Sequence, residues 1–133
     1  MSKEKLYIFD TTLRDGAQTQ GVDFSIDDKE KISASLDNLG VDYIEGGWPG
    51  ANPTDTEFFN KDQGFKNAKL TAFGMTKKSE HSAENDPMLA SLINSKSSSI
   101  CLFGKTWDFH VDVALGITNQ ENLENISESA KHV

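Results

Sequence analysis

Hydrophobic residues in this chain form short apolar runs, which alternate with stretches where apolar residues recur every three or four positions. The runs are typical of buried strands, and the spaced stretches are typical of helices that face a core. This alternation predicts βα units around a parallel sheet. Four strands are expected, over residues 5–10, 41–45, 70–74 and 100–103. Because its apolar run is nearly continuous, the first is expected to be a core strand covered on both faces.

Capping residues predict where the helices begin. Ser25 with Asp28, and Thr118 with Glu121, have the spacing of a capping box, and Gly40 suits the end of the first helix. Asn52-Pro53 and Asp86-Pro87 each place a capping side chain before a proline, which suits the first helical position. The apolar residues expected along the helices are Ile32, Leu36 and Leu39, then Phe58 and Phe59, then Leu89, Leu92 and Ile93, and finally Leu123, Ile126 and Ala130.

Two longer segments lack such a pattern. Residues 76–85 are polar and predict an exposed loop, and residues 104–116 predict a loop with some helix after the fourth strand. The chain has 133 residues, little more than half of a typical (β/α)8 barrel. No stop signal ends the last helix before Val133. We therefore expect an α/β fold, in which residues 1–133 are the N-terminal part, about four βα units, of a single TIM-barrel domain.

Charge and hydropathy narrow the classes of partner. The chain has 13 basic and 21 acidic residues, a net charge of −8, which disfavours nucleic acid as a partner. No apolar run approaches the roughly 18 residues that a membrane span needs, and the start Met1-Ser2-Lys3 leads into a strand. A cytoplasmic protein without a membrane partner is expected. The single cysteine, Cys101, lies in an apolar run, which indicates a small buried residue rather than a nucleophile.

Candidate chemistry lies where the first two strands end, the face on which barrels of this kind carry their active sites. Asp15 is an oxygen ligand suited to a hard divalent cation. Arg14 has forked donors for a carboxylate or an oxyanion, and Gln18 can hydrogen-bond a substrate oxygen. Taken alone, Arg14 and Asp15 are more typical of a solvated loop ion pair than of a functional site. Glu45, at the end of the second strand, suits either a structural contact or a role near the metal.

A competing motif resembles the same stretch. Phosphatases of the haloacid dehalogenase type carry a nucleophilic aspartate at the end of their first strand and a second aspartate two residues later. Asp10 has Thr12 at that offset, so the second carboxylate is absent. This interpretation remains a weak alternative.

The whole segment Phe9-Asp10-Thr11-Thr12-Leu13-Arg14-Asp15-Gly16-Ala17-Gln18-Thr19 resembles the opening of the DRE-TIM metallolyase superfamily, which contains isopropylmalate, homocitrate and citramalate synthases. The resemblance continues through residues 43–53, 72–76 and 103–111, and so covers nearly the whole chain. Many members have glutamate where this sequence has Ala17. Together with Gly47-Trp48 and residues 105–110, this points to the citramalate synthase-like branch.

The resemblance implies a role for several residues. Asp15 would bind the divalent metal, and Arg14 would bind the 2-oxo acid and stabilise developing negative charge. Gln18 would line the same pocket, and Glu45 would support it. Residues that would shape the pocket for the oxo-acid side chain are Phe73, Met75 and Thr76, with core packing an equal alternative for Phe73. Trp48 and Trp107 could cover the site or a coenzyme, but packing is the commoner role of large aromatic residues in such loops.

The resemblance also implies a reaction, the Claisen-type condensation of acetyl-CoA with a 2-oxo acid, dependent on Mg, Mn or Zn. Pyruvate would give (R)-citramalate, on the route to isoleucine, and larger oxo acids would give isopropylmalate or homocitrate. Members complete the metal site with a His-x-His pair, which His81, His110 and His132 do not form. His110 could reach the barrel mouth, but a structural hydrogen bond is the commoner role. A homodimer is expected at full length. The alternatives are a carbon–carbon lyase of the same superfamily, or a fragment inactive by itself.

Overall fold

The computed structural model describes residues 3–133, so the predicted start at Met1 and Ser2 lies outside the described residues. Four parallel strands form one sheet in chain order: β1 (Phe9–Asp10), β2 (Tyr43–Gly47), β3 (Lys69–Met75) and β4 (Ser99–Phe103). The helices are α1 (Ile26–Leu39), α2 (Pro53–Asn60), α3 (Pro87–Ile93), α4 (Asp108–His110) and α5 (Asn119–His132). Short 3-10 turns span Gly16–Gln18 and Ala83–Asn85, and a π-helical turn spans Val111–Leu115. Parallel neighbours in sequential order, each joined through a helix, confirm the N-terminal part of a TIM barrel.

The predicted helix starts are confirmed by their caps. Ser25 Oγ accepts the Asp28 N–H at 3.2 Å while Asp28 accepts the Ser25 N–H at 3.0 Å, and Thr118 and Glu121 form the same capping box. Asn52 accepts the Asp55 N–H at the start of α2. Gly40 ends α1 in the left-handed conformation at φ 88°, which glycine adopts without strain.

The core lies between the sheet and the helices α2 and α3. Its fully buried side chains include Leu13, Ile44, Phe58, Phe59, Leu89 and Leu92. Two strand glycines let the helices approach closely. A Cβ on Gly46 would lie 2.8 Å from the Phe58 ring, and one on Gly74 would lie 2.5 Å from Leu92. The helices therefore pack directly on the strands at these positions.

The prediction that the first strand is a covered core strand is wrong for this chain. Only Phe9 and Asp10 are paired, and only with β2. The side chains of residues 6–9 are 44–83% exposed. The physical reason is position, since β1 is an edge of the sheet and no other described element packs over its apolar run.

The predicted inward face of α1 is also partly wrong. Leu39 is 79% exposed, and Ile32 and Leu36 are only half-buried. The most buried positions are polar, Lys29, Ser33 and Asp37, spaced four apart. Asp37 shows why, because its carboxylate accepts three backbone N–H groups from residues 66–68 at 2.7–3.0 Å. Hydrogen bonds to neighbouring loops, rather than apolar contact alone, dock this helix.

The predicted inward face of α5 is partly wrong in the same way. Leu123 is 61% exposed and Ala130 is exposed, whereas Ile126 is half-buried as expected. The buried residues are Asn122, Asn125 and Ser129, which share one helical face with Ile126. These side chains reach the loops that follow β3 and β4. Asn122 donates to the Lys105 carbonyl at 2.8 Å, and Ser129 accepts the Lys77 N–H at 2.8 Å.

Residues 76–85 are therefore only partly the exposed loop that was predicted. Lys77 is 8% exposed and Ala83 is 6% exposed. The Lys77 ammonium donates to the His81 carbonyl at 3.0 Å and pairs with Glu128 of α5 at 3.1 Å. A polar composition predicts an exposed loop only where no helix packs over that loop. Here α5 packs over residues 76–85, so part of the loop is buried. Of the helices within residues 3–133, none is long and apolar enough to cross a bilayer.

Candidate active site

A tight turn follows β1 and carries the first candidate residues. The Thr11 carbonyl accepts the N–H groups of Arg14, Asp15 and Gly16 at 2.8–3.2 Å. The Asp10 carboxylate binds both the N–H and the hydroxyl of Thr12, which closes the start of the turn. Asp10 thus stabilises the turn. At the position of the second aspartate that the phosphatase alternative requires, Thr12 provides only a hydroxyl and an N–H group that bind Asp10.

Arg14 lies at the centre of the candidate site. Its Nε donates to Glu45 Oε2 at 2.7 Å, and its Nη1 donates to Asp15 Oδ1 at 3.1 Å. The guanidinium carbon lies 4.2 Å from the centroid of the Phe73 ring, within the range of a cation–π contact. The Glu45 side chain is 1% exposed and that of Asp15 is 65% exposed. Arg14 therefore joins a buried carboxylate to an exposed one, and more than a solvated loop ion pair is present.

A cleft of about 760 Å³ opens beside this arrangement. Arg14, Gln18 and Met75 line it, together with Trp48, Phe73 and Phe103. Trp48 meets the Phe73 ring edge-on at 5.5 Å between centroids. The cleft thus has a cationic group on one side and a wall of aromatic rings on another, an arrangement that suits a small anionic molecule with an apolar end.

Thr76 lines a second cavity, of about 460 Å³, rather than the cleft beside Arg14. Trp48 and Met75 line both spaces. Thr76 is therefore separated from Arg14 and Gln18, which line only the first cleft, by the residues that the two spaces share. Glu45 lines neither space and instead lies beneath the Arg14 guanidinium.

The residues present can supply part of a divalent metal site. Asp15 Oδ1 is bound to Arg14, and Asp15 Oδ2 accepts no hydrogen bond within residues 3–133. A free, exposed carboxylate oxygen fits a single ligand of a hard cation. No group of three His, Cys, Asp or Glu side chains in these residues converges as a metal centre. Asp15 is thus compatible with one metal ligand, and the other ligands would have to come from elsewhere.

His110 lies in an exposed aromatic cluster after β4. Its ring centroid is 4.5 Å from that of Trp107, and the Phe109 ring lies tilted against the same tryptophan at 5.0 Å between centroids. Trp107 and Phe109 are more than half exposed, so Trp107 packs on neighbouring rings at the surface and not in a buried core. His110 packs on rings, and no hydrogen bond of its side chain occurs among residues 3–133, contrary to its expected structural role.

Cys101 projects from β4 toward the buried carboxylate. Burial raises the pKa of the Cys101 thiol, and the charge of Glu45 raises it further. A raised pKa keeps the thiol protonated and makes it a poor nucleophile. This agrees with the expectation that Cys101 is not the reactive group, although the residue is half-buried rather than fully buried.

Lys29 and Asp55 are functional candidates that sequence reasoning missed. Both are buried, both border the cleft, and Lys29 Nζ donates to Asp55 Oδ1. Asp55 also accepts the Trp48 N–H at 2.9 Å, directly beside the aromatic wall. A lysine in the second turn of an amphipathic helix gives no local signal of burial, because long charged side chains usually reach solvent.

Comparison with known proteins agrees with this geometry. The HMGL-like family model matches residues 5–133. The chain is 51% identical to an (R)-citramalate synthase of Aquifex aeolicus over 98% of its own length, and 46% identical to one of Geobacter sulfurreducens over its whole length. It is 35% identical, over 99% of its length, to a 2-isopropylmalate synthase 1 of Caldanaerobacter subterraneus, of which it covers 32%. It spans about a quarter of each of the two citramalate synthases.

Two observations define the class of this protein. It has a parallel βα sheet with an Arg-Asp turn at the open end of the first strand, and the family model matches almost every residue. This chain belongs to the HMGL-like family, the DRE-TIM group that the sequence resembles. Among the relatives named above, the two (R)-citramalate synthases are more similar to it than the 2-isopropylmalate synthase.

Proposed function

We propose that residues 1–133 are the N-terminal portion of a catalytic barrel domain that condenses acetyl-CoA with a 2-oxo acid. Pyruvate is the proposed oxo acid, and (R)-citramalate is the proposed product. The observation that carries this proposal is the Arg14–Glu45 pair at the open ends of β1 and β2, with Asp15 beside it. The similarity to (R)-citramalate synthases over nearly the whole chain supports the choice of reaction.

Arg14 is the proposed catalytic and substrate-binding residue. Contacts within residues 3–133 use its Nε and one Nη1 donor, so further guanidinium N–H groups are proposed to bind the carboxylate of a 2-oxo acid. The same cation would stabilise the oxyanion that forms when the ketone carbon is attacked. Donors help most when they are already oriented before the reaction, and Glu45 and Phe73 hold the guanidinium from two sides.

Asp15 is the proposed metal ligand, for Mg, Mn or Zn. A divalent cation, when bound, would polarise the ketone of the oxo acid as a Lewis acid. Asp15 would contribute one carboxylate oxygen to it. The remaining ligands, and the base that removes a proton from the acetyl methyl group, are proposed to lie outside this chain.

The side of the cleft near Arg14 supports a small oxo acid. Phe73 lies against the guanidinium, and Trp48 packs on the edge of Phe73, so rigid rings occupy the space beside the proposed carboxylate site. Met75 continues this wall, and Gln18 provides a polar group on the cleft surface. The methyl group of pyruvate needs less room there than the branched chain of 2-oxoisovalerate. Thr76 is proposed to contact substrate only where the second cavity meets the cleft.

The biological setting follows from the same proposal. (R)-Citramalate formed from pyruvate would supply isoleucine synthesis, in the cytoplasm, without nucleic acid or a membrane as partner. A homodimer is proposed for the complete enzyme. The net charge of −8 is unfavourable for phosphate-backbone binding and supports only the absence of a nucleic-acid partner.

Measuring coenzyme A release tests the function. The complete protein is incubated with acetyl-CoA, a divalent cation and, in separate reactions, pyruvate, 2-oxoisovalerate or 2-oxoglutarate. Pyruvate is expected to give the highest kcat/KM. A preference for 2-oxoisovalerate or 2-oxoglutarate would contradict the choice of pyruvate and favour an isopropylmalate or homocitrate synthase.

A parallel cleavage assay on citramalate tests the lyase alternative. Rapid cleavage without condensation would overturn the synthase proposal. The 133-residue chain is assayed in the same way and is expected to release no coenzyme A, because the other metal ligands and the base are proposed to lie outside it. Turnover by the chain alone would contradict that expectation.

A further inference from the structure

The Lys29 ammonium is a buried cation with all of its donors in use. Its side chain is 4% exposed. It donates to the Leu13 carbonyl at 3.0 Å, to the Gly46 carbonyl at 2.8 Å and to the Asp55 carboxylate. An ammonium group has three donors, so none remains for a ligand. Lys29 therefore borders the cleft without being available to bind what enters it.

The two carbonyls that Lys29 binds adjoin the proposed site residues. Leu13 directly precedes Arg14, and Gly46 directly follows Glu45. One buried ammonium thus fixes the backbone of the turn after β1 and of the end of β2, each next to one member of the Arg14–Glu45 pair. Hydrogen bonds to a charged donor are directional, so this contact sets the distance between the turn after β1 and the end of β2 more narrowly than apolar packing would.

Asp55 extends the cross-link to a third segment. Its carboxylate accepts the Trp48 N–H and the Asn52 side-chain amide, both at 2.9 Å. Gly47 has φ +140°, and a Cβ there would lie 2.5 Å from the Asp55 carboxyl carbon. The carboxylate therefore packs directly against the backbone that leads into Trp48. Lys29 and Asp55 together tie α1, the Arg14 turn, the end of β2 and the first turn of α2 around one side of the cleft.

We propose that Lys29 and Asp55 are positioning residues: they act through the backbone on Arg14, Glu45 and Trp48, and do not touch the substrate. This inference rests on the proposed function. Stability alone does not account for the pair, because well-packed apolar residues often replace a buried ion pair without loss of stability. A charged cross-link does, however, hold a defined geometry, and misplacing a catalytic group by about 1 Å can lower the rate on the order of 100-fold.

A matched pair of variants in the complete protein tests this inference. Lys29→Met keeps the length of the side chain and removes its donors. Asp37→Asn is the control, since Asp37 is buried on the same helix and anchors residues 66–68, about 12 Å further along the helix axis. Asp55→Asn is a milder second variant, which keeps the shape and an acceptor oxygen if Lys29→Met fails to fold.

Two readouts separate positioning from general destabilisation. In hydrogen–deuterium exchange, Lys29→Met or Asp55→Asn is expected to lower protection in residues 11–18 and 46–50, and Asp37→Asn in residues 64–70. In kinetics with acetyl-CoA and pyruvate, the first two variants are expected to lower kcat at least roughly tenfold, and Asp37→Asn to leave it within about twofold. Unchanged kcat in the folded Lys29 and Asp55 variants, or an equal loss in Asp37→Asn, would overturn the inference.

Failure of the proposed function gives a different result. If the unaltered protein released no coenzyme A with any of the three oxo acids, this result would contradict the proposed condensation reaction. The exchange pattern alone would then decide the inference. Lost protection confined to residues 11–18 and 46–50 supports the cross-link as the element that positions the cleft, and unchanged protection there refutes it.

Discussion

Arg14 and Glu45 are 31 residues apart in sequence, yet their side chains meet at 2.7 Å because β1 and β2 are parallel neighbours that end on the same side of the sheet. Glu45 is 1% exposed, so the pair combines a nearly inaccessible anion with a cation that faces the cleft. The buried carboxylate fixes the guanidinium through Nε, and Nη1 donates to Asp15, while Nη2 makes no hydrogen bond within residues 3–133. This relationship gives the first prediction.

Glu45→Gln in the complete protein is expected to lower kcat/KM for the oxo acid by roughly 10- to 100-fold. The amide keeps the shape of the side chain but exchanges a charge-assisted hydrogen bond for a neutral one, so Arg14 is held less firmly. Steady-state kinetics with pyruvate measure this effect. An exposed pair, Lys61 with Glu30, provides the control, and Glu30→Gln is expected to leave kcat/KM within about twofold. Equal kinetics in Glu45→Gln and the unaltered protein would contradict a role for Glu45 in orienting Arg14.

Asp15→Asn is expected to weaken divalent-metal binding by the complete protein at least roughly tenfold, with loss of condensation activity. The substitution replaces an anionic oxygen ligand with a neutral one and leaves the backbone turn intact, because the turn is held by Thr11 and Asp10. Isothermal calorimetry with Mn²⁺ measures the affinity without any need for turnover. Unchanged affinity and activity would show that Asp15 is not a metal ligand.

Local signals made the helix starts predictable from sequence. Four helices begin with a side chain that caps a backbone N–H group no more than three residues away, at Ser25, Asn52, Asp86 and Thr118. Both partners of each interaction are therefore close together in the sequence. The strand order was predictable for a related reason, since alternating β and α segments restrict a parallel sheet to few topologies. The meeting of Arg14 and Glu45 follows from that topology, because both come at the carboxyl ends of neighbouring strands.

The inward faces of α1 and α5 were not predictable, because their docking residues are polar. Lys29, Asp37 and Ser129 each bind backbone groups at least 16 residues away in sequence. The residues next to them in the sequence therefore do not indicate that they are buried. A rule that places apolar residues inside selects Leu39 and Leu123, which the structure exposes. Lys29 was missed as a site residue for the same reason. The exposure of Leu6 to Phe9 depends on which strand lies on the other side of β1, and residues 3–133 contain no such strand.

The polar face of α5 gives a stability prediction. Ser129→Ala is expected to destabilise the fold by about 1–3 kcal/mol, because it leaves the buried Lys77 N–H without its acceptor. Leu123→Ala on the exposed face is the control and is expected to change stability by less than about 0.5 kcal/mol. Urea unfolding of the complete protein measures both, and hydrogen–deuterium exchange of residues 76–82 localises the effect of Ser129→Ala. A larger loss in Leu123→Ala would show that the apolar face docks the helix after all.

Acid is expected to loosen α1 and α3 through two buried aspartates. Burial by itself would raise the pKa of Asp37 and of Asp86, but backbone N–H donors outweigh it and hold each pKa below the ordinary 3.8. A carboxylate with a lowered pKa in the folded state stabilises the fold above its unfolded pKa, and this contribution is lost as the pH falls through the folded pKa. The free-energy difference between the unaltered protein and Asp37→Asn should therefore be constant from about pH 7 to about pH 5 and shrink below about pH 4. Urea titrations of both proteins at each pH measure this difference, and a difference that stays constant down to about pH 2 would show that the Asp37 charge does not contribute to stability.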